Sequence, residues 1–182
     1  MRIDKFTVKA QEAIQEGQSL ARRAEHPNYE PEHLLKALLE QSDGVVVPML
    51  QKIGADVKLI GSRIDDALKR MSTIKGGQTS ISNRLMSLFD KAEDEAKAMK
   101  DEFTSSEHLL LALVQDKGNA GEILGSSGVK KDRVVAVLKE IRGSGRVTSQ
   151  DPEGTYRALE KYGRDLAEAA RSGKLDPVIG RD

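Results

Sequence analysis

No cysteine occurs in the 182-residue chain. Disulfides, thiol nucleophiles and cysteine-ligated zinc are thereby excluded, and the composition suits a reducing compartment. Tryptophan is absent too, and aromatics make up only 3%, although apolar residues in total reach 38%, enough for a core. There is no excess of charge of either sign: 29 Lys and Arg face 29 Asp and Glu. A balanced chain offers no electrostatic reason to bind nucleic acid or anionic lipid. Long apolar runs are missing. The longest, Val45 to Leu50, is interrupted by Pro48 and is far too short to cross a bilayer. The opening "MRIDKFTVKA" lacks the apolar centre of a signal peptide. These absences predict a soluble, cytoplasmic protein with no nucleic-acid or membrane partner.

What is present is a repetition. "EHLLKALLEQ" starts at Glu32 and "EHLLLALVQD" at Glu107, 75 positions later. The same shift carries Ala10, Ala13, Ile14, Gly17, Ala21 and Ala24 onto Leu85, Leu88, Phe89, Ala92, Ala96 and Met99. Both sets step by three or four, which places them on one face of a helix. The spacing predicts helices over about Thr7–Ala24 and Ser82–Met99. Phe6 before Thr7 reads as a hydrophobic staple beside an N-cap. The two "EHLL" helices come next. Thr104 to Glu107 fits a capping box, and Pro31 sits near a helix start, where its missing N–H costs little. Their apolar stripes are wide, so both helices are expected to be central. Short helices succeed them, around Val46–Leu50 and Ala120–Leu124. Gly54 and Gly128 mark turns, now 74 apart, and a fourth helix ends each copy.

Each copy is too small to bury much surface alone, and two copies packed together would share a core. The predicted fold is all-α: about eight helices as a tandem pseudo-twofold repeat of two four-helix units over residues 1–143, plus a C-terminal linker helix. Repeat 1 covers about 6–71 and repeat 2 about 81–143, joined by the polar "STIKGGQTS". Residues 144–154, rich in Gly and polar side chains, read as a flexible linker. Residues 155–182 read as a further helix, with Gly173 as its C-cap, running into "DPVIGRD". That ending carries no structural signal and suggests a longer protein.

Catalytic chemistry finds little support. Glu32–His33 and Glu107–His108 are sequence neighbours and point about 100° apart on a helix, so they do not converge on one ion. Glu30-x-x-His33 matches half of a di-iron bundle motif, but Ser105 stands at the matching place of copy 2 and the ligand set fails. No phosphate-cradling GxxxxGK[ST] occurs. No nucleophile with a positioned base can be assembled. Recognition remains, since a two-lobed helical body has a seam between its lobes.

These same residues carry a family resemblance. "PEHLLKALL" and "SSEHLLLALV" resemble the Clp N-terminal repeat. The tail "YRALEKYGRDLAEAARSGKLDPVIGRD" resembles the join between that domain and the first AAA+ module of ClpB-type disaggregases, and "DKFTVKAQEAI" and "RVTSQDPE" are similar to the same type. The resemblance implies an N-terminal substrate-engaging domain of a cytoplasmic, ATP-driven chaperone. The full protein would be a hexamer with a coiled coil, working with the DnaK system on unfolded or aggregated polypeptides. ATP and Mg would belong to the full-length protein; none is expected in these residues, which should be monomeric and should not hydrolyse ATP. Val178, Ile179 and Gly180 would border the adenine site only in the complete AAA+ module. Family positions tied to substrate handling correspond to Thr7, Asp101 and Glu107. The family's apolar groove corresponds to Phe89, Glu95 and His108, of which only Phe89 is apolar here. Thr7 and Glu107 could equally serve as helix caps, whereas Asp101 lies in a loop with no obvious structural duty. Adaptor docking and a regulatory lid over the ATPase ring are the alternatives.

Overall fold

In a computed structural model, residues 2–143, with 147, 150 and 152, are described. They form eight α-helices: α1 (Val8–Arg23), α2 (Pro31–Glu40), α3 (Val46–Ile53), α4 (Val57–Lys69), α5 (Asn83–Ala98), α6 (Ser106–Val114), α7 (Asn119–Ser126) and α8 (Lys131–Arg142). Helices α1–α4 and α5–α8 are the two copies, and the expected all-α repeat is what is found. The linker helix, with Gly173, and the residues Val178, Ile179 and Gly180 lie outside the described residues, as does most of 144–154.

The helix ends repeat as faithfully as the stripes. Thr7 caps α1 and Ser82 caps α5, each side chain accepting the N–H three residues on. At the other end, His26 N–H reaches Ala21 O at 3.0 Å and Asp101 N–H reaches Ala96 O at 2.9 Å. This closure puts Glu25 and Lys100 at φ 58° and 60°, in the left-handed region. Gly54 and Gly128 close α3 and α7 at φ 92° and 83°, a conformation that costs glycine little.

One apolar cluster contains side chains of both copies, among them Leu34, Leu35 and Leu38 of α2 and Leu109, Leu110 and Leu113 of α6. All six are fully buried, so α2 and α6 are the central pair that their wide stripes imply. The expected staple is absent. Phe6 instead buries its ring against Phe89 of the other copy, centroids 6.1 Å apart and planes at 78°, while its carbonyl accepts from Gln11 Nε2 at 2.8 Å.

Two short pairings were not visible in the sequence. Strand β1 (Asn28–Tyr29) runs parallel to β2 (Ser80–Ile81), with Tyr29 opposite Ile81. Phe6 forms a parallel bridge with Thr104. Shifting the first pairing by 75 yields the second, and each joins one copy to the other. The repeats are thus crossed by backbone hydrogen bonds as well as by a shared core.

Candidate functional site

Helices α2 and α6 begin on the same device. Glu30 and Ser105 are the N-caps, and the third helical residue, His33 or His108, reaches back. The Nδ1 atoms accept the cap N–H at 2.9 Å and 2.8 Å. The capping box of copy 2 therefore starts at Ser105 rather than Thr104, and closes on His108 rather than Glu107. Glu30-x-x-His33 is likewise a cap, and among the described residues no group of three metal-ligating side chains assembles.

With Nδ1 accepting, the neutral imidazole carries its proton on Nε2. The two copies aim that proton differently. His33 Nε2 faces His26 Nδ1 at 2.7 Å, whereas His108 Nε2 faces Asp101 Oδ2 at 2.7 Å. Burial pushes both histidines of copy 1 down, and the neighbouring His26 adds to the effect at His33, which falls to about 4. For Asp101 burial acts upward, but hydrogen bonds from His108, the Val147 amide and Arg142 outweigh it and hold the carboxyl below its ordinary range.

Asp101 consequently has a structural duty. Oδ2 takes His108 and Arg142 Nη1, the latter at 2.9 Å; Oδ1 takes the Val147 N–H at 2.9 Å. Arg142 Nη2 pairs with Glu107 Oε1 at 2.7 Å, and the side chains of Asp101 and Glu107 are fully buried. The equivalent acid of copy 1, Glu32, is paired with Arg84 of α5 and accepts Ala120 N–H at 2.9 Å. Burial raises its carboxyl despite Arg84.

Of the four residues singled out by resemblance, Thr7, Phe89 and Glu107 are fully buried, and Asp101 is half-buried with its side chain wholly inside. Thr7 caps α1 and donates its N–H to Thr104 O at 2.9 Å. Phe89 lies under Phe6, and Asp101 and Glu107 meet on Arg142. Of the other groove positions, His108 is buried in the cap, and Glu95 pairs with Lys131 at 2.9 Å. The open furrow lies beside them. A groove of about 440 Å³ runs between α5 and α6, lined by Leu88 and Ala112 with Ser87 and Gln115, and rimmed by Lys91 and Lys117. Sequence reasoning missed it, although Leu88 was placed correctly on the buried stripe. A smaller hollow of about 270 Å³ between α4 and α7 has a mixed lining that includes Arg63, Arg70 and Ile123.

A family profile described as "Clp repeat (R) N-terminal domain" matches residues 5–127. Chaperone protein ClpB of Bacillus cereus is 40% identical over 100% of this chain. Chaperone protein ClpB 1 of Thermosynechococcus vestitus is 44% identical over 98% of it. The chain spans 22% and 21% of the length of those relatives. Among solved structures, the N-terminal domain of Hsp104 from Candida albicans superposes with a TM-score of 0.73 at 20% identity, covering 82% of this chain and 99% of that one. The N-domain of ClpV in complex with a VipB peptide gives 0.59 at 18% identity, covering 75% and 89%.

Proposed function

This chain belongs to the Clp repeat N-terminal domain family, and on that premise we propose that it is the substrate-engaging domain of an ATP-dependent disaggregase. It binds unfolded or aggregated polypeptides weakly and passes them to an AAA+ ring. The identity of at least 40% to ClpB chaperones across essentially the whole chain carries this reading. In the full-length protein, the ring is hexameric, cytoplasmic, loaded with ATP and Mg, and served by the DnaK system. Residues 1–143 are the binding domain, 144–154 the linker, and 155–182 the start of the first AAA+ module. The domain itself has no part in hydrolysis; the Walker A pattern is missing from its sequence. No described helix is long and apolar enough to cross a membrane.

The contact surface in this reading is the groove between α5 and α6. Leu88 and Ala112 form its nearly covered floor, and a caught chain meets them among Arg84, Lys91, Gln115 and Lys117. Burying about 300 Å² there yields about 7 kcal/mol. Association and ordering cost on the order of 4–15 kcal/mol. The two are of similar size, so the groove binds weakly enough to release what is caught. Thr7, Phe89, Asp101 and Glu107 serve binding from behind the surface, by fixing the seam and the exit of the chain.

The test is a titration of reduced, carboxymethylated α-lactalbumin into isotope-labelled chain. Fast-exchange shifts should cluster at Ser87, Leu88, Lys91, Ala112 and Gln115. No saturable binding at mM probe would overturn the reading. Adaptor docking is the second reading, prompted by the ClpV N-domain solved with a VipB peptide. It requires instead tight, stoichiometric capture of one folded partner.

A further inference from the structure

Beyond Arg142 the chain does not simply leave the domain. Val147 is fully buried, and Pro152 is buried as well. Both backbone polar groups of Val147 are satisfied by the 101–102 loop: its N–H donates to Asp101 Oδ1 at 2.9 Å, and its carbonyl accepts Glu102 N–H at 2.8 Å. Three residues on, the Gln150 carbonyl accepts Val8 N–H at 2.7 Å, and its side-chain amide donates to Asp4 O at 3.2 Å. Val8 is the first residue of α1, so its N–H has no partner within the helix.

These contacts recognise very little that is specific to Val147 and Gln150. Two protein N–H donors and one carboxylate oxygen read backbone groups that every residue except proline carries. One pocket takes an aliphatic side chain. The recognition code is a backbone pair at one position, an aliphatic group on it, and a carbonyl three residues later. Any extended polypeptide with a Val, Ile or Leu can supply that code. Asp101 is held for the task. His108 and Arg142 fix its Oδ2, which leaves Oδ1 aimed at the incoming N–H.

The equivalent place in copy 1 is filled in a comparable way. There, too, the chain leaving the last helix of the copy is tied to the loop after the first helix: Ile74 N–H donates to Glu25 O at 2.8 Å and Ser80 N–H to Pro27 O at 3.0 Å. That segment continues as β2 into α5 and is locked at both ends. Val147 and Gln150 follow α8, the last of the eight described helices.

We infer that the seat of Val147 and Gln150 is a second polypeptide-binding site, distinct from the α5–α6 groove, which the domain's own exit segment fills and which an extended unfolded chain takes over. The inference rests on the proposed substrate-binding role and names a second surface for it.

The test is amide hydrogen exchange on the 182-residue chain with and without reduced, carboxymethylated α-lactalbumin. At saturating probe the Val147 amide should exchange faster, while Val8 and Glu102 stay protected because the probe's carbonyls replace those of Gln150 and Val147. Val147→Asp removes the competitor, since a second carboxylate cannot take the apolar pocket beside Asp101. It should tighten probe binding by about fivefold or more, in proportion to the fraction of sites that were filled. Val147→Ala, which leaves the fold less perturbed, should do the same to a smaller extent. If the probe binds but the Val147 amide stays protected and both variants bind as wild type does, the second site is wrong and the groove reading survives. If the probe binds to none of the three proteins, both readings fall.

Discussion

The two copies are built on one plan but neutralise their buried polar groups in opposite directions. Copy 1 turns inward. Its acid Glu32 takes an arginine and a backbone N–H from copy 2, and its histidine pair is closed off without a charge. Copy 2 turns toward its own end. Asp101, His108, Glu107 and Arg142 tie α6 to α8 and to Val147. Sequence duplication has therefore not duplicated the role. One network holds the halves together, and the other holds the chain's exit.

The largest effect should come from the arginines. The side chain of Arg142 is 3% exposed and that of Arg84 35%. Arg142→Ala leaves two buried carboxylates without their cation and should cost about 3–5 kcal/mol in denaturant unfolding. Arg84→Ala should cost clearly less, because water reaches its place. Equal losses would abolish the distinction between the networks.

Acid should separate the copies next. The depressed histidines bind fewer protons folded than unfolded, so their stability is complete above about pH 6.5 and drains as pH falls toward about 4, the value for His33. Over that window the loss should approach about 2–3 kcal/mol. His26→Asp gives His33 the partner of copy 2 and should flatten the slope between pH 6.5 and 4 in pH-resolved denaturation. An unchanged slope would place the acid sensitivity elsewhere.

Close packing supplies a third contrast. A Cβ at Gly17 would overlap the Tyr29 hydroxyl and lie 2.8 Å from its ring, whereas copy 2 has Ala92 and the smaller Thr104 at the matching places. Gly17→Ala should cost about 1–3 kcal/mol by overpacking. Most of that cost should vanish in a Tyr29→Thr background, read as coupling in a double-mutant cycle. The smallest effect belongs to the caps. Thr7→Ala and Ser82→Ala should each lose about 1 kcal/mol, Thr7 slightly more because it is fully buried. If Thr7→Ala also weakened probe binding at equal folded fraction, Thr7 would act at the surface rather than as a cap.

Much of this architecture is legible along the chain. The shift by 75 finds every core face of α1 and α5, and Gly54 and Gly128 sit where left-handed turns are needed. What was illegible is what depends on distant partners. The Phe6–Thr104 and Tyr29–Ile81 pairings are too short to leave a period. The duty of Asp101 lies with Arg142 and Val147, more than 40 positions later. Glu30-x-x-His33 was ambiguous because a capping box and half a metal site share one spacing. The α5–α6 groove is a shape left by packing, and only Leu88 hinted at its wall.

The crossed pairings have a further consequence. Each copy offers one edge and needs the edge of its counterpart, so a half translated alone would carry two raw seams and a bare apolar face. A second identical half would satisfy all of them, and the approximate axis of the tandem chain would become an exact one. The duplicated domain is thus a covalently fused homodimer in its physics, and separating its halves should yield association rather than two folded monomers.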